Sequence, residues 1–442
     1  MSEINVFLGT FVSARSLKEI KFVFGYMTVE NGMITAIGSK DEFTKLEQTG
    51  YFKNHKIIQL EEHEFMIPGF VDCHTHAPQF PNIGVGLDRP LLEWLDKYTF
   101  PLENKYSDVD FARKVYNQVV EQLLKNGTTT ACYFGSLHME GTLELVKAVV
   151  KHKQRALVGK VSMNIKNDAG YFNDTEKELY DTEQFVKIVQ SMNNDLVEPV
   201  ITPRFAVSCD EKLMTGLSTI AEKYGCRIQS HISENCKEIE CVLDMNPDAK
   251  SYAEVYDKSK ILNDRCIMAH AVHLEDDEMK LFASKKVSVA HCPASNTRLR
   301  SGLCPIRKLL DNGIKVGLGT DVSGGDNASI LVAMRRTMDV STHLELLQGH
   351  NRALDWKEAF YLATKGGAKA LNLGDKIGYF DTGMQFDALR IQVYAPGSQI
   401  NRYDYSVDTN EEELASSLVQ RFIHLGDDRN IKEVYVKGRK VK

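Results

Sequence analysis

The chain has 442 residues, 43% of them hydrophobic and 26% charged, with a formal net charge of −6. That length exceeds a typical single domain and predicts one large unit with a smaller companion. The acidic balance gives no electrostatic case for nucleic acid, which wants a basic face, and no run of about 18 apolar residues exists to span a membrane. Nine cysteines are scattered without a regular framework or a Cys-x-x-Cys pair. With no signal peptide, this predicts reduced thiols and a cytoplasmic protein, and it removes the cysteine-rich zinc sites.

The first 65 residues read as short strands, beginning with 5–12. Strands over 27–30 and 33–38 flank Asn31-Gly32, a dipeptide that favours a tight hairpin because both residues accept positive φ. From residue 67 the pattern becomes strand, then helix. The predicted strands are 67–76, 128–134, 156–164, 200–205, 227–234, 266–273, 287–292 and 315–321. Most are short apolar runs bounded by turns, as strands buried on both faces are. Amphipathic helices are predicted over 111–126 and 212–225, the second closed by a glycine. Eight such units predict an α/β fold, a (β/α)8 TIM-like barrel, with a doubly wound sheet as the alternative because alternation does not by itself close a sheet. Strand character returns at 378–380, 387–391 and 433–436, ending on a Lys437-Gly438 turn, with the basic tail 437–442 read as a solvated terminus. Residues 1–65 and 377–442 are therefore expected to build one small β-sandwich beside a catalytic barrel over 66–376.

In such barrels the carboxyl ends of the strands carry the chemistry. The run Pro68-Gly69-Phe70-Val71-Asp72-Cys73-His74-Thr75-His76 ends in two histidines that share a strand face, about 7 Å apart along it. Histidine is the commonest metal ligand, although two hydrogen-bonded histidines would read the same. Later strand ends carry Arg204, His231, His270, His291 and Asp321. His231 is a third candidate ligand. Glu234, three positions on, would stand over the metal as a proton shuttle if the chain turns helical there; the plain alternative is a helix start capped at Ser233. Asp321 is either a ligand or base, or the N-cap of the next helix. His270 could ligate, but is better read as bonding the metal's water. His273 reads as surface or supporting. His291 either orients the site or is an ordinary satisfied core histidine, and Lys160 reads as packed or paired. Three histidines and a carboxylate suit zinc or another borderline divalent ion, which lowers the pKa of bound water toward about 7. Strand four offers no lysine to bridge a second metal.

At these residues the chain resembles the amidohydrolase superfamily. Pro-Gly-Phe-Val-Asp-x-His-x-His, Ser230-His231, Ala269-His270 and Gly319-Thr320-Asp321 occur in that family's order, as does Gly378-Tyr379-Phe380 leading through Gly383 to Phe386-Asp387-Ala388. Members with His-x-x-Glu after strand five are typically aminohydrolases of purines, pyrimidines or triazines. Leu91-Leu92-Glu93-Trp94-Leu95, Thr202-Pro203-Arg204-Phe205 and Gln229-Ser230-His231-Ile232-Ser233-Glu234-Asn235 are similar to the branch of eukaryotic enzymes that deaminate guanine, over nearly the whole length.

The resemblance implies one Zn2+ per subunit held by His74, His76, His231 and Asp321. It implies Glu234, Asp321 and His270 as catalytic groups, with His270 against the water or the substrate. Gln79, Arg204 and Phe205 would hold the purine, which His76, His231, Glu234, His270 and Asp321 would also contact. An arginine fork matches the O6 and N7 acceptors of guanine, and a site that pairs polar edges rejects analogues lacking them. The implied reaction hydrolyses free guanine to xanthine and ammonia: Glu234 takes a proton from the attacking hydroxide source and returns it to N3, while Asp321 helps the amine leave C2. A homodimer is implied as well. The alternatives are a related enzyme acting on another purine or a triazine, and a non-catalytic scaffold that kept the fold. Three stretches depart from the expected pattern: Arg298 and Arg300 replace neutral residues, Gly324-Gly325-Asp326-Asn327 replaces an aromatic-containing loop, and the lid from Asn82 to Arg89 is variable in character.

Overall fold

The structure, a computed structural model, describes residues 4–53, 55–349, 352–403, 408 and 410–442. Eight parallel strands run side by side in chain order: Phe70–His76, Thr128–Phe134, Arg155–Gly159, Val197–Pro203, Arg227–Ile232, Cys266–His270, Ser288–His291 and Lys315–Leu318. Nearly every residue in them is buried, as expected where helices cover one face and a packed interior fills the other. Hydrogen bonds across the remaining gap bring the eighth strand back to the first. Asp321 donates its N–H to the His74 carbonyl at 2.9 Å, and His76 donates to the Val322 carbonyl at 3.2 Å. Asp72 adds to this seam by accepting from the Thr320 N–H at 3.1 Å and from its hydroxyl at 2.5 Å. The sheet is therefore a nearly closed barrel, not an open doubly wound sheet.

The helices follow local sequence rules. Val109–Lys125 starts at Asp108, whose carboxylate accepts from the Asp110 and Phe111 N–H groups, a cap worth about 1 kcal/mol. Its buried face is Ala112, Val115, Tyr116, Val119, Val120 and Leu123, the spacing of an amphipathic stripe. Glu211–Tyr224 ends on Gly225 at φ +66°, a left-handed cap position that glycine takes without a Cβ penalty.

Strands from both ends of the chain form one eight-stranded sheet. Glu64–Pro68 lies between Asn5–Ser16 on one side and Ala388–Gln392 on the other, and Ile431–Val436 follows. Two strands separate Phe7 from Tyr435 in the sheet, yet their rings are 5.5 Å apart. The sheet thus curls over a shared core of Phe7, Phe11, Met27, Met66 and Phe386.

Several boundaries differ from the sequence reading. The first two strands are twelve residues each, Asn5–Ser16 and Glu19–Glu30, because they pair with one another along most of their length. The expected strand 67–76 is two strands on either side of Gly69: Glu64–Pro68 belongs to the terminal sheet and Phe70–His76 to the barrel. A Cβ at Gly69 would lie 2.0 Å from Thr129 Oγ1. Residues 378–380 are not a strand. Helices Lys40–Gln48 and Glu411–Leu425 interrupt the two terminal segments, the first announced by the Ser39/Glu42 capping box. The basic tail is not simply solvated, since Arg439–Lys440 pairs with Tyr435 and Val436 as an edge strand. No helix among the described residues is long and apolar enough to cross a membrane.

Candidate active site at the carboxyl ends of the barrel strands

The histidines of the first strand, two residues apart, face the barrel mouth with ring centroids 4.9 Å apart. His231, at the end of the fifth strand, reaches the same point: its Nε2 lies 3.1 Å from His76 Nε2. Asp321 Oδ1 is 3.1 Å from His74 Nε2 and 3.5 Å from His76 Nε2. Donors held at about 2.0–2.1 Å around a tetrahedral ion lie about 3.3 Å from one another, which is the spacing seen. His231 Nδ1 donates to the Arg204 carbonyl at 2.5 Å, so its Nε2 carries a lone pair aimed at His76. His74 Nε2 and His270 Nε2 are buried with no hydrogen-bond partner among the described residues. Unshared lone pairs in a buried cluster are what a divalent cation satisfies.

The electrostatics agree. Burial lowers His74, and burial together with the neighbouring histidines pushes His76 and His231 well below the ordinary histidine range. Neutral imidazole is the ligand form. Burial would raise Asp321, but His74, His270 and His76 together hold it well below the usual carboxylate range. Asp321 is anionic, and it is not a helix cap: it sits at φ +46°, nine residues before the helix Ile330–Gln348 begins.

Glu234 enters the cluster by a route the sequence reading did not anticipate. No helical turn follows His231; Ser233 takes φ +49°, and the helix Cys236–Met245 starts later, capped by Asn235. The left-handed residue swings Glu234 inward. Its Oε2 is 3.4 Å from His270 Nε2, and its Oε1 accepts from the Ser301 hydroxyl at 3.2 Å. Burial and then the Asp321 charge raise Glu234 well above an ordinary glutamate. His270 Nε2 is 3.8 Å from Asp321 Oδ2, and its Nδ1 is 2.8 Å from Asn296 Oδ1.

A small, partly enclosed cavity opens above these groups. His76, His231, Glu234, His270 and Asp321 form its floor, and Gln79, Arg204 and Phe205 one side, while Leu91, Trp94, Leu95 and Leu299 close over it. Eight of the nine expected site residues line this cavity, and His74 lies beside it in the cluster. Arg204 and Gln79 are already engaged with one another's neighbour. Arg204 donates from Nη1 and Nη2 to the two carboxylate oxygens of Glu103 at 2.6 and 3.1 Å, and Gln79 Nε2 donates to Glu103 Oε1 at 2.9 Å.

Glu103 was missed by sequence reasoning, because an acid in Pro101-Leu102-Glu103-Asn104 looks like an ordinary surface residue; it is fully buried. Asp72 was passed over too, although its place two residues before His74 on the same strand face was a usable signal. Burial, opposed by the Thr320 hydrogen bonds, raises it to about 7. His273 acts through Ser301, its Nε2 donating to that carbonyl at 2.7 Å. His291 is not a satisfied core histidine: it is buried with neither ring nitrogen partnered among the described residues. Lys160 is paired, to Glu178 at 2.6 Å, with both side chains fully buried. Cys292 offers a thiol within 4.8 Å of ligand atoms on His270 and Asp321.

The amidohydrolase family model matches residues 65–441. This chain belongs to the amidohydrolase family. Among curated proteins, this amidohydrolase is 43% identical over 441 residues to the guanine deaminase of Mus musculus, covering 99% of this chain and 96% of that one. It is 42% identical over 443 residues to guanine deaminase of Homo sapiens, at the same coverage. Among solved structures, it superimposes on the guanine deaminase of C. acetobutylicum with guanine bound in the active site, with a TM-score of 0.90, 35% identity and full coverage of both chains.

Proposed function

We propose that this chain is a guanine deaminase that hydrolyses free guanine to xanthine and ammonia. The observation that carries the reading is one cavity in which a His/Asp cluster, a proton-holding glutamate and an arginine–glutamine pair converge, in a chain more than 40% identical over nearly its full length to enzymes of that name.

We assign His74, His76, His231 and Asp321 to one zinc ion per subunit, a ligand set that suits this metal. When bound, zinc would supply Lewis-acid activation of a water molecule. The protein groups do the rest. Arg204 and Gln79 offer N–H donors to the O6 and N7 acceptors of guanine, and Phe205 flanks the ring. This places C2 toward Glu234. Glu234 takes a proton from the attacking water and returns it to ring N3; a carboxyl whose pKa burial has raised is suited to both transfers near neutral pH. The C–O bond forms at C2; Asp321, an anion, takes the remaining proton from the added hydroxyl and passes it to the amine, so that the C–N bond breaks, ammonia departs and C2 is left as a carbonyl. His270 orients the water against Glu234. N–H donors from Arg204 and from the Gln79 amide, whose oxygen is already engaged by the Ser323 N–H, favour guanine over adenine, which has no O6 to accept.

We also propose the division into a terminal unit, 1–65 with 377–442, and a catalytic unit, 66–376; the terminal sheet's recruitment of strands from both ends supports it. A cytoplasmic homodimer acting in purine breakdown rests on the resemblance, and sedimentation equilibrium would test the dimer. The function is tested by incubating the zinc-loaded protein separately with guanine, adenine, cytosine and a triazine while following ultraviolet spectra and ammonia. Xanthine and ammonia from guanine alone are expected. Turnover of another ring, or of none, would overturn the assignment.

A further inference from the structure

Among the described residues Glu103 is the only acid hydrogen-bonded to the recognition pair, and it is inaccessible to solvent. It lies at the end of the short helix Phe100–Glu103, which follows the segment that closes over the cavity. Its carboxylate takes two of the five guanidinium N–H groups of Arg204 and one amide hydrogen of Gln79. The other end of the Gln79 amide is fixed as well, because Oε1 accepts from the Ser323 N–H at 3.0 Å. The Arg204 guanidinium lies 5.1 Å from the centroid of the Phe100 ring. Every donor that Arg204 and Gln79 present to the cavity is thus oriented by one carboxylate. An unpaired guanidinium in a dry cavity would be a strong trap for any anion; paired with Glu103, the recognition edge keeps its donors and carries no net charge.

Substrate and product differ in just this respect. Exchanging the C2 amine of guanine for a carbonyl makes the ring N–H groups of xanthine more acidic, so the product ionises more readily than the substrate. We propose that Glu103 is a positioning residue that sets specificity by charge: it holds Arg204 and Gln79 for an uncharged purine and prevents the site from retaining an anionic product. The inference rests on the reading of this cavity as a guanine site. The other titratable groups packed about Glu103 are Tyr106, Tyr116, Tyr171 and His138, with Asp321 facing Arg204 across the cavity. Burial raises the tyrosines and lowers His138, so the charge around Glu103 is constant over the range in which xanthine ionises.

The test is calorimetric binding of xanthine and of hypoxanthine, a comparator that ionises less readily, to the zinc-loaded wild type, Glu103→Gln and Glu103→Asp at about pH 6 and about pH 8, where xanthine is mostly ionised and hypoxanthine mostly neutral. In wild type the ratio of xanthine to hypoxanthine affinity should stay level or fall as xanthine ionises. In E103Q it should rise by about tenfold, the factor that one charged hydrogen bond provides, with a higher KM for guanine and a larger share of product inhibition. E103D should restore the wild-type pattern. A ratio unchanged in folded E103Q would overturn the proposal. So would a wild-type ratio that climbs with pH, a result that needs no variant to fold. Failure of the underlying function reads differently: wild type would bind neither base and release no ammonia from guanine, and both readings would fall together.

Discussion

Two buried glutamates four residues apart, Glu234 and Glu238, do different work because their partners differ. Glu234 faces His270 and Ser301 in the cavity, held there by a left-handed Ser233 at a cost on the order of 1–2 kcal/mol. Its replacement by glutamine should leave one zinc bound and lower kcat by about 10²–10⁴; metal analysis alongside single-turnover rates checks this, and near-normal turnover would remove the shuttle role. Glu238 faces away, accepting from the Glu234 and Asn235 N–H groups and from the Tyr252 hydroxyl. Burial, with the Glu234 charge behind it, raises Glu238 from 4.5 to about 7. The folded state therefore holds this proton more tightly than the unfolded state. The resulting stabilisation is complete below pH 4.5 and is lost as pH rises through about 7. In Glu238→Gln the amide oxygen can accept the same two N–H groups and its NH2 can donate to Tyr252. Between about pH 5 and about pH 8 the stability difference should move in the variant's favour by on the order of 3 kcal/mol, read from urea unfolding at both pH values. A constant difference would count against it.

At the scale of elements, the three stretches expected from the sequence to depart from the family pattern meet one another. Arg298, closing the helix Pro293–Arg298 after strand seven, contacts Asp326 of the strand-eight loop through Nε at 2.6 Å and Nη2 at 2.5 Å. Arg336 adds a longer contact to the same carboxylate at 3.7 Å. Arg300 Nη1 donates to the Asp88 carbonyl of the lid loop at 2.5 Å. Between the two arginines, Leu299 is buried against Leu91, Trp94, Leu95 and Phe205 in the cavity wall. Arg298 and Asp326 are thus compensating charges, and with the Arg300 contact to the lid backbone they hold one wall of the pocket. Arg298→Asp should raise KM for guanine on the order of threefold with little change in kcat, the size expected of a half-exposed pair. Adding Asp326→Arg should restore it; equal KM values across the series would dissociate the pair from the wall.

For the whole molecule, the decisive link is between the barrel and the terminal sheet. Arg155 opens the third barrel strand, at the end away from the cavity, and grips Asp387 with Nε at 2.9 Å and Nη2 at 3.1 Å. Asp387 in turn accepts from the Lys437 N–H at 2.7 Å, and its carbonyl accepts from Gly69 at 2.9 Å. One residue therefore ties together the barrel and the C-terminal hairpin through its carboxylate, and the start of the first strand through its carbonyl. Arg155→Met leaves that carboxylate buried without its cation and should cost about 3–5 kcal/mol of stability while leaving KM for guanine unchanged, because the pair lies at the opposite end of the barrel. Denaturation midpoints with parallel kinetics check both halves of that expectation.

What could be read from sequence was what depends on neighbours along the chain. His74 and His76 share a face because a strand repeats every two residues. Asn31-Gly32 makes its turn, at φ +52° and +79°, because those residues tolerate positive φ. The strand-end residues converge because eight strand–helix units close into a barrel. What only the tertiary structure decided were the partners of buried charge. Glu103 meets Arg204 across 101 residues, and Asp72 meets Thr320 across 248. Glu234 reaches the cluster through one left-handed residue where a helical turn was expected. A carboxylate's sequence neighbours do not say whether it will be solvated or buried. That depends on which elements pack over it, and the cost of burying a charge then dictates the partner it must find.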